Sequence, residues 1–443
     1  MKVLVLGGGG REHASVKALE RSPQAPTLFA AMGNQNPGIR RAAKEVLIHD
    51  VTDVPTVVAW AKARGIDLAV IGPEAPLAAG IVDALDAAGI PAVGPDRESA
   101  RLESDKEFTR DLMREHRIPG GVDYWGFDRI EDFQDWLNDC DFEFVIKPVG
   151  LTGGKGVNVW GDHFRSKGEA EAIAKEILQH KVGGQARFLV EEKVVGEEFS
   201  LQAFCDGSRL LPTPLAQDHK RAHENDEGPN TGGMGSYSDA DHLLPFLTRK
   251  DYDAALTTMR ATVDAMAARG TPFRGILYGG FMATRDGVRL LEYNVRFGDP
   301  EAMNVLPILE DDFLDLCGRL VDGNLPMAAR FGRKATVCKY VVPHGYGAKP
   351  KAGAPISVDE AGIAKAGSEL FYAAVGEKQG TVYTTTSRAL ALVGIADSLP
   401  KAEALAEAGL RYVKGDVYVR HDIASTKAIQ RKIDRMKKLR AAP

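Results

Sequence analysis

The sequence has little cysteine, no long apolar segment and no excess of basic residues. Its four cysteines are spread over 443 residues without a CxxC pair, which excludes a zinc knuckle and a disulfide framework and indicates reduced, buried thiols. No segment approaches the roughly 18 apolar residues of a membrane helix, and the apolar stretch at the N-terminus is too short for a signal peptide. We therefore expect a cytoplasmic protein without a membrane partner.

The charge balance is slightly acidic, with 56 Lys and Arg residues against 61 Asp and Glu residues. A dedicated nucleic-acid binder would show a basic domain or stripe, so we expect no nucleic-acid partner. Hydrophobic residues make up 44% of the chain and charged residues 26%, which excludes disordered, collagen-like and coiled-coil chains. At roughly 150 residues per domain, the length predicts about three domains.

Apolar strands alternate with helical patterns over the first hundred residues. The apolar runs span residues 3–6, 27–31, 68–71 and 91–93. This alternation predicts an N-terminal α/β domain over residues 1–104, built on a doubly wound parallel sheet. Ligands bind such sheets at the carboxyl ends of the strands, which is where a glycine run and a Gly-Pro-Glu segment follow two of these strands.

The remaining chain predicts two further units, so the fold class is α/β with α+β lobes. Residues 105–329 predict a central two-lobed domain, with a small lobe at about 123–195 and a large lobe at about 196–329. The large lobe contains a hairpin that turns at an Asp-Gly pair, which is a strong local signal. Residues 330–443 predict a small mixed α/β domain whose basic last turns form a solvated, frayed helix.

Four glycines at residues 7–10 follow a strand and open a helix. Backbone N–H groups at a helix N-terminus are a ready site for phosphate, so the run is either a phosphate loop or a tight strand-to-helix turn. A dinucleotide fingerprint is excluded, because its third glycine would fall on Glu12 or His13. A Rossmann-type NAD enzyme is therefore not expected.

A second glycine-rich segment, at residues 147–156, reads KPVGLTGGKG. Lys147 stands at a strand end and Lys155 lies within the loop, an arrangement in which backbone amides close over nucleotide phosphates while lysine supplies charge. The segment is not a Walker A motif, because no Gly-Lys-Ser/Thr opens a following helix. The alternative is a surface hairpin with solvated lysines.

Three polar side chains, Glu292, Asn294 and Arg296, alternate along one predicted strand. Strand alternation puts all three on the same face. A carboxylate and an amide oxygen are hard ligands that suit Mg²⁺, and the adjacent guanidinium could neutralise the oxygens of a transferring phosphoryl group. The alternative is the solvent-exposed polar face of an edge strand.

The densest polar and glycine-rich stretch spans residues 217–235 and lacks periodicity, which predicts a long functional loop. His219 and His223, at i and i+4, could be a zinc pair, but the surrounding loop chemistry disfavours one. Residues 191–194 lie between two apolar strands, where a hinge could contact an adenine edge, and Glu198 could bond a ribose. A charged turn is the alternative for these residues.

Together these motifs resemble the phosphoribosylamine–glycine ligase family of purine synthesis, within the ATP-grasp superfamily. They occur in the family's order between residue 1 and about residue 330, and the last hundred residues resemble the family's small C-terminal domain only loosely. A run such as GPNTGGMG is far more specific than a single glycine motif. The motifs read GGGREHA at 8–14, GPEAPL at 72–77, QDHKR at 217–221, GPNTGGMG at 228–235 and EYNVRFGDPE at 292–301.

The resemblance implies that ATP, glycine and 5-phosphoribosylamine react to ADP, phosphate and glycinamide ribonucleotide through glycyl phosphate. It implies an ATP-grasp domain at 105–329, ATP and Mg²⁺ or Mn²⁺ as cofactors, and a monomer, with a dimer as the alternative. The ATP-binding residues it implies are Lys106, Lys147, Gly153, Gly154, Lys155, Gly156, Glu191, Val194 and Glu198. It further implies Glu292 and Asn294 as metal ligands, Arg296 and Asp218 as catalytic residues, and Gly10, Glu74, Asp218 and Arg296 as the lining of the substrate pocket.

Three segments depart from the family's pattern without removing a residue that the chemistry needs. The glycine loop has Pro148 and lacks the usual Asp, residues 32–38 replace a commoner Pro-Gly-Asn-Ala-Gly form, and Arg388 follows Thr and Ser where the family has Gly-Gly. The alternatives are a related ATP-grasp ligase or carboxylase with another substrate, or a regulatory protein that lost turnover. The regulatory protein would have lost Glu292, Asn294 or Arg296.

Overall fold

The computed structural model describes residues 1–153 and 156–441. Its first sheet is fully parallel, with the strand order β3-β2-β1-β4-β5. The strands are β1 (Lys2–Leu6), β2 (Thr27–Met32), β3 (Glu45–Ile48), β4 (Leu68–Ile71) and β5 (Ala92–Val93). The helices between and after them are α1 (Gly10–Glu20), α2 (Pro37–Ala42), α3 (Val54–Arg64), α4 (Glu74–Ala78) and α5 (Ile81–Ala87). The predicted doubly wound N-terminal sheet is confirmed.

The glycine run carries the chain from the first strand into the first helix. Gly7 has a φ of +114°, a conformation that side chains other than glycine rarely adopt. The carboxylate of Glu12 accepts a hydrogen bond from the backbone N–H of Gly9 at 2.6 Å, which caps the start of α1. The N-terminus of α1 therefore lies at the carboxyl edge of the parallel sheet.

Two consecutive helices, α6 (Arg101–Ser104) and α7 (Lys106–Glu115), lead from this sheet to a small lobe. The lobe is an antiparallel sheet of order β6-β9-β7-β8 with a separate aromatic core that includes Phe133, Phe144 and Phe188. Its elements are β6 (Tyr124–Phe127), α8 (Ile130–Asp139), β7 (Phe144–Pro148), β8 (Asn158–Val159), α9 (Lys167–His180) and β9 (Phe188–Glu192). The predicted α+β lobe is present.

A second antiparallel sheet, of order β11-β10-β16-β17, forms the large lobe. Its strands are β10 (Glu197–Asp206), β11 (Leu210–Pro212), β16 (Arg274–Thr284) and β17 (Gly287–Asn294). Short strands in the predicted loop are β12 (Gln217–Asp218), β13 (Arg221–His223), β14 (Glu227–Asn230) and β15 (Gly235–Ser238). The helices are α10 (Arg249–Ala268), α11 (Ala302–Val305) and α12 (Phe313–Val321).

The C-terminal part shares a sheet with that loop, since Gly235 of β15 pairs with Lys339 of β18. The shared sheet has the order β12-β15-β18-β23-β20, and a smaller one has the order β21-β22-β19-β24. The elements are β18 (Ala335–Pro343), β19 (Pro355–Val358), α13 (Glu360–Lys365), β20 (Ser368–Tyr372), β21 (Val375–Lys378), β22 (Thr381–Thr384), β23 (Leu390–Ala396), α14 (Leu399–Leu410), β24 (Val413–Gly415), β25 (Val417–Tyr418) and α15 (Thr426–Ala441). The three-domain α/β class is confirmed, whereas the predicted boundaries stay predictions.

The basic last helix is not solvated and frayed, as the sequence suggested, but docks on the large lobe. Arg435 lies 3.1 Å from Glu197, and Arg440 donates to both oxygens of Asp251 at 2.8 Å. Met436 is buried beneath the helix. The sequence pattern showed the charges of α15 but not the carboxylates that face them. Among the described residues, no helix has the length and apolarity to cross a membrane.

Candidate active site

A buried ion triad joins the small lobe to the end of β17. Lys147, near the end of β7, donates to Glu191 at 2.7 Å and to the carbonyl of Leu291 at 3.1 Å. Arg110 on α7 donates to both carboxylate oxygens of Glu191, at 2.8 and 2.9 Å. Burial opposes the charge of Glu191, but the two cations outweigh it and lower its pKa to about 2. The carboxylate of Glu191 is therefore engaged with Lys147 and Arg110.

A β-bulge in β17 exposes the carbonyl of Leu291, which accepts hydrogen bonds from Lys147 and Arg110. Glu292 pairs with Gly280, but Leu290 pairs with the next residue, Phe281, so Leu291 is an extra residue in the ladder. Such a bulge leaves the carbonyl of Leu291 free to accept from Arg110 at 2.9 Å as well as from Lys147. The bulge therefore ties β17 to Lys147 of the small lobe and to Arg110 of α7.

The glycine loop connects β7 to β8, and Lys106 reaches its first turn. The ammonium of Lys106 donates to the carbonyl of Gly150 at 2.8 Å, and burial lowers its pKa. Gly150 must be glycine, because a Cβ there would collide with the carbonyl of Gly183. Gly153 and Gly156 have φ values of +59° and +141°. The predicted ligands Gly154 and Lys155 lie outside the described residues.

Lys220 lies between two predicted ligands on strands of the same sheet. Its ammonium is 3.3 Å from Glu198 on β10 and 3.6 Å from Glu292 on β17. The attraction of Glu198, joined by that of Glu292, outweighs burial and raises the pKa of Lys220. Burial opposes the charge of Glu292, but Lys220, Lys147, Lys106 and Arg296 together lower its pKa. Several cations thus lie around one carboxylate, and Lys147, Lys220 and Arg296 each also pair with another carboxylate.

Arg296 follows β17 and is held by oxygens from three parts of the chain. One terminal nitrogen lies 3.0 Å from both Asn294 and Glu103, and Nε lies 3.3 Å from Glu74 on α4. Burial opposes its charge, but Glu103 and Glu74 raise the pKa of Arg296. Burial raises the pKa of Glu103 to about 7, whereas Arg296 and Arg11 outweigh burial at Glu74 and lower its pKa to about 2. The hydrogen bond to Asn294 confirms that the two alternating residues share a face.

The N-terminal end of α1, at the edge of the parallel sheet, contacts the segment that carries Arg296. Arg11 donates to Glu12 at 2.7 Å and to the carbonyl of Phe297 at 3.0 Å. A Cβ at Gly10 would collide with the hydroxyl of Tyr340, so glycine permits this close approach. The backbone N–H of Gly9 is already bound by the carboxylate of Glu12, so this donor of the glycine run is not open to a phosphate.

Asp218 lies on β12 beside a second carboxylate. Burial and the nearby charge of Glu301 raise the pKa of Asp218 well above its ordinary range. Tyr278 donates to Glu301 at 2.8 Å, and Asp218 accepts from the backbone N–H of His219 at 2.7 Å. His219 is buried and His223 is exposed. Among the described residues, no group of three His, Cys, Asp or Glu side chains could hold a metal ion, so nothing supports a zinc pair.

The C-terminal part contributes Arg388, which sequence reasoning noted only as a departure from the family's pattern. It donates to the carbonyls of Gly232 and Asp299 and stacks over the ring of Tyr340 at 4.6 Å. Lys220, Glu103 and Arg11 were also missed as site residues. Lys220 stood within the QDHKR motif and Arg11 within GGGREHA, but Glu103 carried no signal beyond a charged helix. Val194 lies in the short connection between β9 and β10, within the predicted hinge.

A parallel-sheet domain followed by two antiparallel lobes, with lysines and an acidic strand end between them, defines an ATP-grasp enzyme. Family models of the phosphoribosylglycinamide synthetase N domain, ATP-grasp (A) domain and C domain match residues 1–103, 104–302 and 336–426. The chain belongs to the phosphoribosylglycinamide synthetase family.

Relatives and solved structures agree with this assignment. The chain is 51% identical over 442 residues to the phosphoribosylamine–glycine ligase of Methanothermobacter thermautotrophicus, covering 100% of both chains. It is 49% identical to that of Methanocella arvoryzae, covering 99% of this chain and 100% of the relative. The crystal structure of the Thermotoga maritima phosphoribosylamine–glycine ligase matches with a TM-score of 0.82 and 25% identity, covering 96% of this chain and 100% of that chain.

The fold is shared more widely than the family. A biotin carboxylase domain of the Hydrogenobacter thermophilus 2-oxoglutarate carboxylase matches with a TM-score of 0.71 at 15% identity, covering 98% of this chain and 93% of that chain. At that identity the likeness shows the fold alone.

Proposed function

We propose that this protein ligates glycine to 5-phosphoribosylamine at the expense of ATP, giving glycinamide ribonucleotide, ADP and phosphate, a step of purine synthesis. The observation that carries the proposal is the convergence of Lys106, Lys147, Lys220 and Arg296 on Glu292. These cations can bind the oxygens of a triphosphate and of an acyl phosphate. The family membership supports this choice among ATP-grasp reactions.

ATP lies between the lobes in this proposal. Lys106 and Lys147 bind phosphates, and the glycine loop with Gly153, Gly154, Lys155 and Gly156 closes over them. Val194 contacts the adenine and Glu198 the ribose. Glu191 acts through Lys147, since its carboxylate already binds that lysine at 2.7 Å. Glu191 therefore contributes to nucleotide binding by positioning the ammonium of Lys147, and its backbone contacts the adenine.

Glu292 and Asn294 fit a divalent cation, Mg²⁺ or Mn²⁺. Both offer oxygen, which hard cations prefer, and two protein ligands suit an ion whose remaining positions are filled by phosphates and water. When bound, the ion neutralises phosphate charge during transfer. Lys220 contacts Glu292 at 3.6 Å, so its ammonium neutralises the same carboxylate that would bind the ion.

The reaction proceeds in two steps. A carboxylate oxygen of glycine attacks the γ-phosphorus of ATP, and ADP leaves to give glycyl phosphate. The ribosylamine nitrogen then attacks the acyl carbon, phosphate leaves, and the nitrogen gives up a proton. Asp218 accepts that proton, a role suited to a carboxyl whose pKa is raised. Arg296 stabilises the negative charge that develops on the phosphoryl and acyl oxygens.

Gly10 and Glu74 complete the substrate pocket in this proposal. Gly10 lies in the lining of this pocket, where glycine lets the backbone pack against the hydroxyl of Tyr340. Glu74 holds the amine of a substrate, since Arg296 and Arg11 lower its pKa and keep it ionised. The substrates are small molecules, and a cytoplasmic monomer, with a dimer as the alternative, stays a prediction.

The test is ADP release by the purified protein with Mg²⁺, supplied with glycine, freshly made phosphoribosylamine, or both. We expect ADP release only when both are present, together with glycinamide ribonucleotide detected by mass. An Arg330→Ala variant, which removes an exposed ion pair with Asp311, is the matched control with unchanged activity. ADP release with neither substrate, or only with another carboxylate such as bicarbonate, would contradict the proposal.

A further inference from the structure

The three nitrogens of the Arg296 guanidinium are held unequally. One terminal nitrogen has two acceptors at 3.0 Å, Asn294 and Glu103. Nε has Glu74 at 3.3 Å, and the other terminal nitrogen has the carbonyl of Phe297 at 3.4 Å. Distances above 3.2 Å mark weak hydrogen bonds. One terminal nitrogen is therefore tightly bound, and the other two nitrogens are loosely bound.

The two carboxylates that face Arg296 also differ in burial. The side chain of Glu103 is 6% exposed, and that of Glu74 is 28% exposed. The second oxygen of Glu103 accepts the backbone N–H of Val295 at 2.7 Å, so Glu103 is fixed to the same turn that carries Arg296. Glu74 is the partner that solvent or a substrate can reach and replace.

We propose that Glu103 is the positioning residue of Arg296, fixing one terminal nitrogen of the guanidinium so that the loosely held nitrogens are presented to the acyl phosphate. This inference rests on the proposed function, because it gives Arg296 the role assigned there. A guanidinium that must stabilise developing charge has to stay in place while its other partner leaves. The carboxylate of Glu103 supplies that restraint from α6, which is separate in sequence from the segment that carries Arg296.

Both carboxylate oxygens of Glu103 act as acceptors, which the amide of glutamine cannot reproduce. Both oxygens accept hydrogen bonds, one from Val295 and one from Arg296. Glutamine can accept on only one of them, because its amide NH₂ is a donor. In a Glu103→Gln variant that keeps the Val295 bond, the NH₂ group would face the Arg296 donor and release the guanidinium.

The experiment measures kcat, the three KM values and a directly determined ATP Kd for Glu103→Gln in two backgrounds, wild type and Arg296→Lys. Lysine lacks the planar fork, so the restraint no longer matters in the second background. We expect Glu103→Gln to lower kcat by about 100-fold in the wild-type background with little change in ATP Kd, as misplacement of a catalytic group does. In the Arg296→Lys background the same substitution should have little further effect.

The control is Glu107→Gln, which neutralises another arginine-bound carboxylate one turn along the chain. Glu107 binds Arg187 through both oxygens and lies outside the proposed machinery, so its kcat should match wild type. If Glu103→Gln does not fold, Glu103→Asp keeps the charge but withdraws the carboxylate, and the same background-dependent loss is expected.

Equal losses of kcat in both backgrounds, or no loss in wild type, would overturn the inference, because a purely structural effect ignores the identity of residue 296. An Arg296→Lys variant with wild-type kcat would instead overturn the role of Arg296 in the proposed function. The two failures are therefore distinguishable.

Discussion

The ammonium of Lys147 lies 2.7 Å from a carboxylate oxygen of Glu191, and both side chains are buried. The ammonium of Lys147 is therefore oriented by an anion on the neighbouring strand. Arg110 binds the same carboxylate, which leaves this triad with one net positive charge. In our proposal this charge binds phosphate, and its position is set by packing between α7, β7 and β9.

Loss of the Glu191 charge should weaken both the fold and ATP binding. A Glu191→Gln substitution leaves Arg110 and Lys147 buried without their anion, and breaking a buried ion pair costs about 3–5 kcal/mol. Urea unfolding and ATP titration measure the two effects. The control, Glu143→Gln, removes an exposed partner of Lys193 and should change the free energy of unfolding by under about 1 kcal/mol. Equal stabilities of the two variants would contradict the prediction.

Arg296→Ala should abolish turnover while leaving ATP affinity nearly intact. The guanidinium acts on charge that develops during the reaction, so its removal should lower kcat by about 10²–10³-fold. Steady-state kinetics gives kcat, and calorimetric titration with a non-hydrolysable ATP analogue gives the Kd. An unchanged kcat would rule out the role of Arg296.

Glu292→Gln should weaken binding of the metal–ATP complex. The substitution replaces a hard anionic ligand by a neutral amide and also removes a partner of Lys220 at 3.6 Å. Activity followed against Mg²⁺ and Mn²⁺ concentration should show a higher half-saturating concentration than wild type. Glu115→Gln, which removes an exposed partner of Arg269, provides the control curve. A titration that coincides with wild type would be incompatible with a ligand at Glu292.

We expect His13 to lower the free energy of unfolding as the pH decreases from neutral. Its ring is buried against Tyr372 and accepts the backbone N–H of that residue at 2.8 Å, and burial lowers its pKa from 6.5 to about 3. The unfolded chain therefore takes up the proton first. The contribution of His13 to stability is complete above pH 6.5 and declines as the pH falls toward 3, by at most about 1.4 kcal/mol per pH unit. A His13→Gln variant should show a shallower decline in urea unfolding, and an identical slope would refute this.

Arg420 should be the most sensitive position of the C-terminal segment. Its buried guanidinium donates to both oxygens of Asp422, to Asp226 and to the carbonyl of Arg221, which anchors the hairpin after Lys220. Arg420→Gln should lower stability by about 3–5 kcal/mol. Lys334→Gln, in an exposed pair with Asp397, should be nearly neutral. Thermal unfolding of both variants makes the comparison, and similar Tm values would contradict it.

Short-range sequence patterns predicted much of the fold and the outline of the site. The alternation of apolar runs and helices indicated the parallel sheet, because strand and helix periods are local properties. Alternation along β17 placed Asn294 and Arg296 on one face, which their hydrogen bond confirms. The glycine motifs and the family resemblance supplied the rest of the candidate residues.

Other features could not be predicted, because they depend on partners far apart in the chain. Nothing local distinguishes the buried Glu103, which faces Arg296, from a solvated glutamate on a charged helix. Nothing local showed that Lys147 and Arg110 would both bind the carboxylate of Glu191. The docked α15 looked like a frayed tail for the same reason.

The sequence by itself thus determined the α/β class, the motifs and the family, since these follow from local periodicity and from residue types at fixed spacing. Only the tertiary structure decided which charges pair, which carboxylates are buried and which nitrogens of Arg296 are loosely held. The free energy of an ion pair depends on distance and desolvation, and both are set by the packing of distant segments.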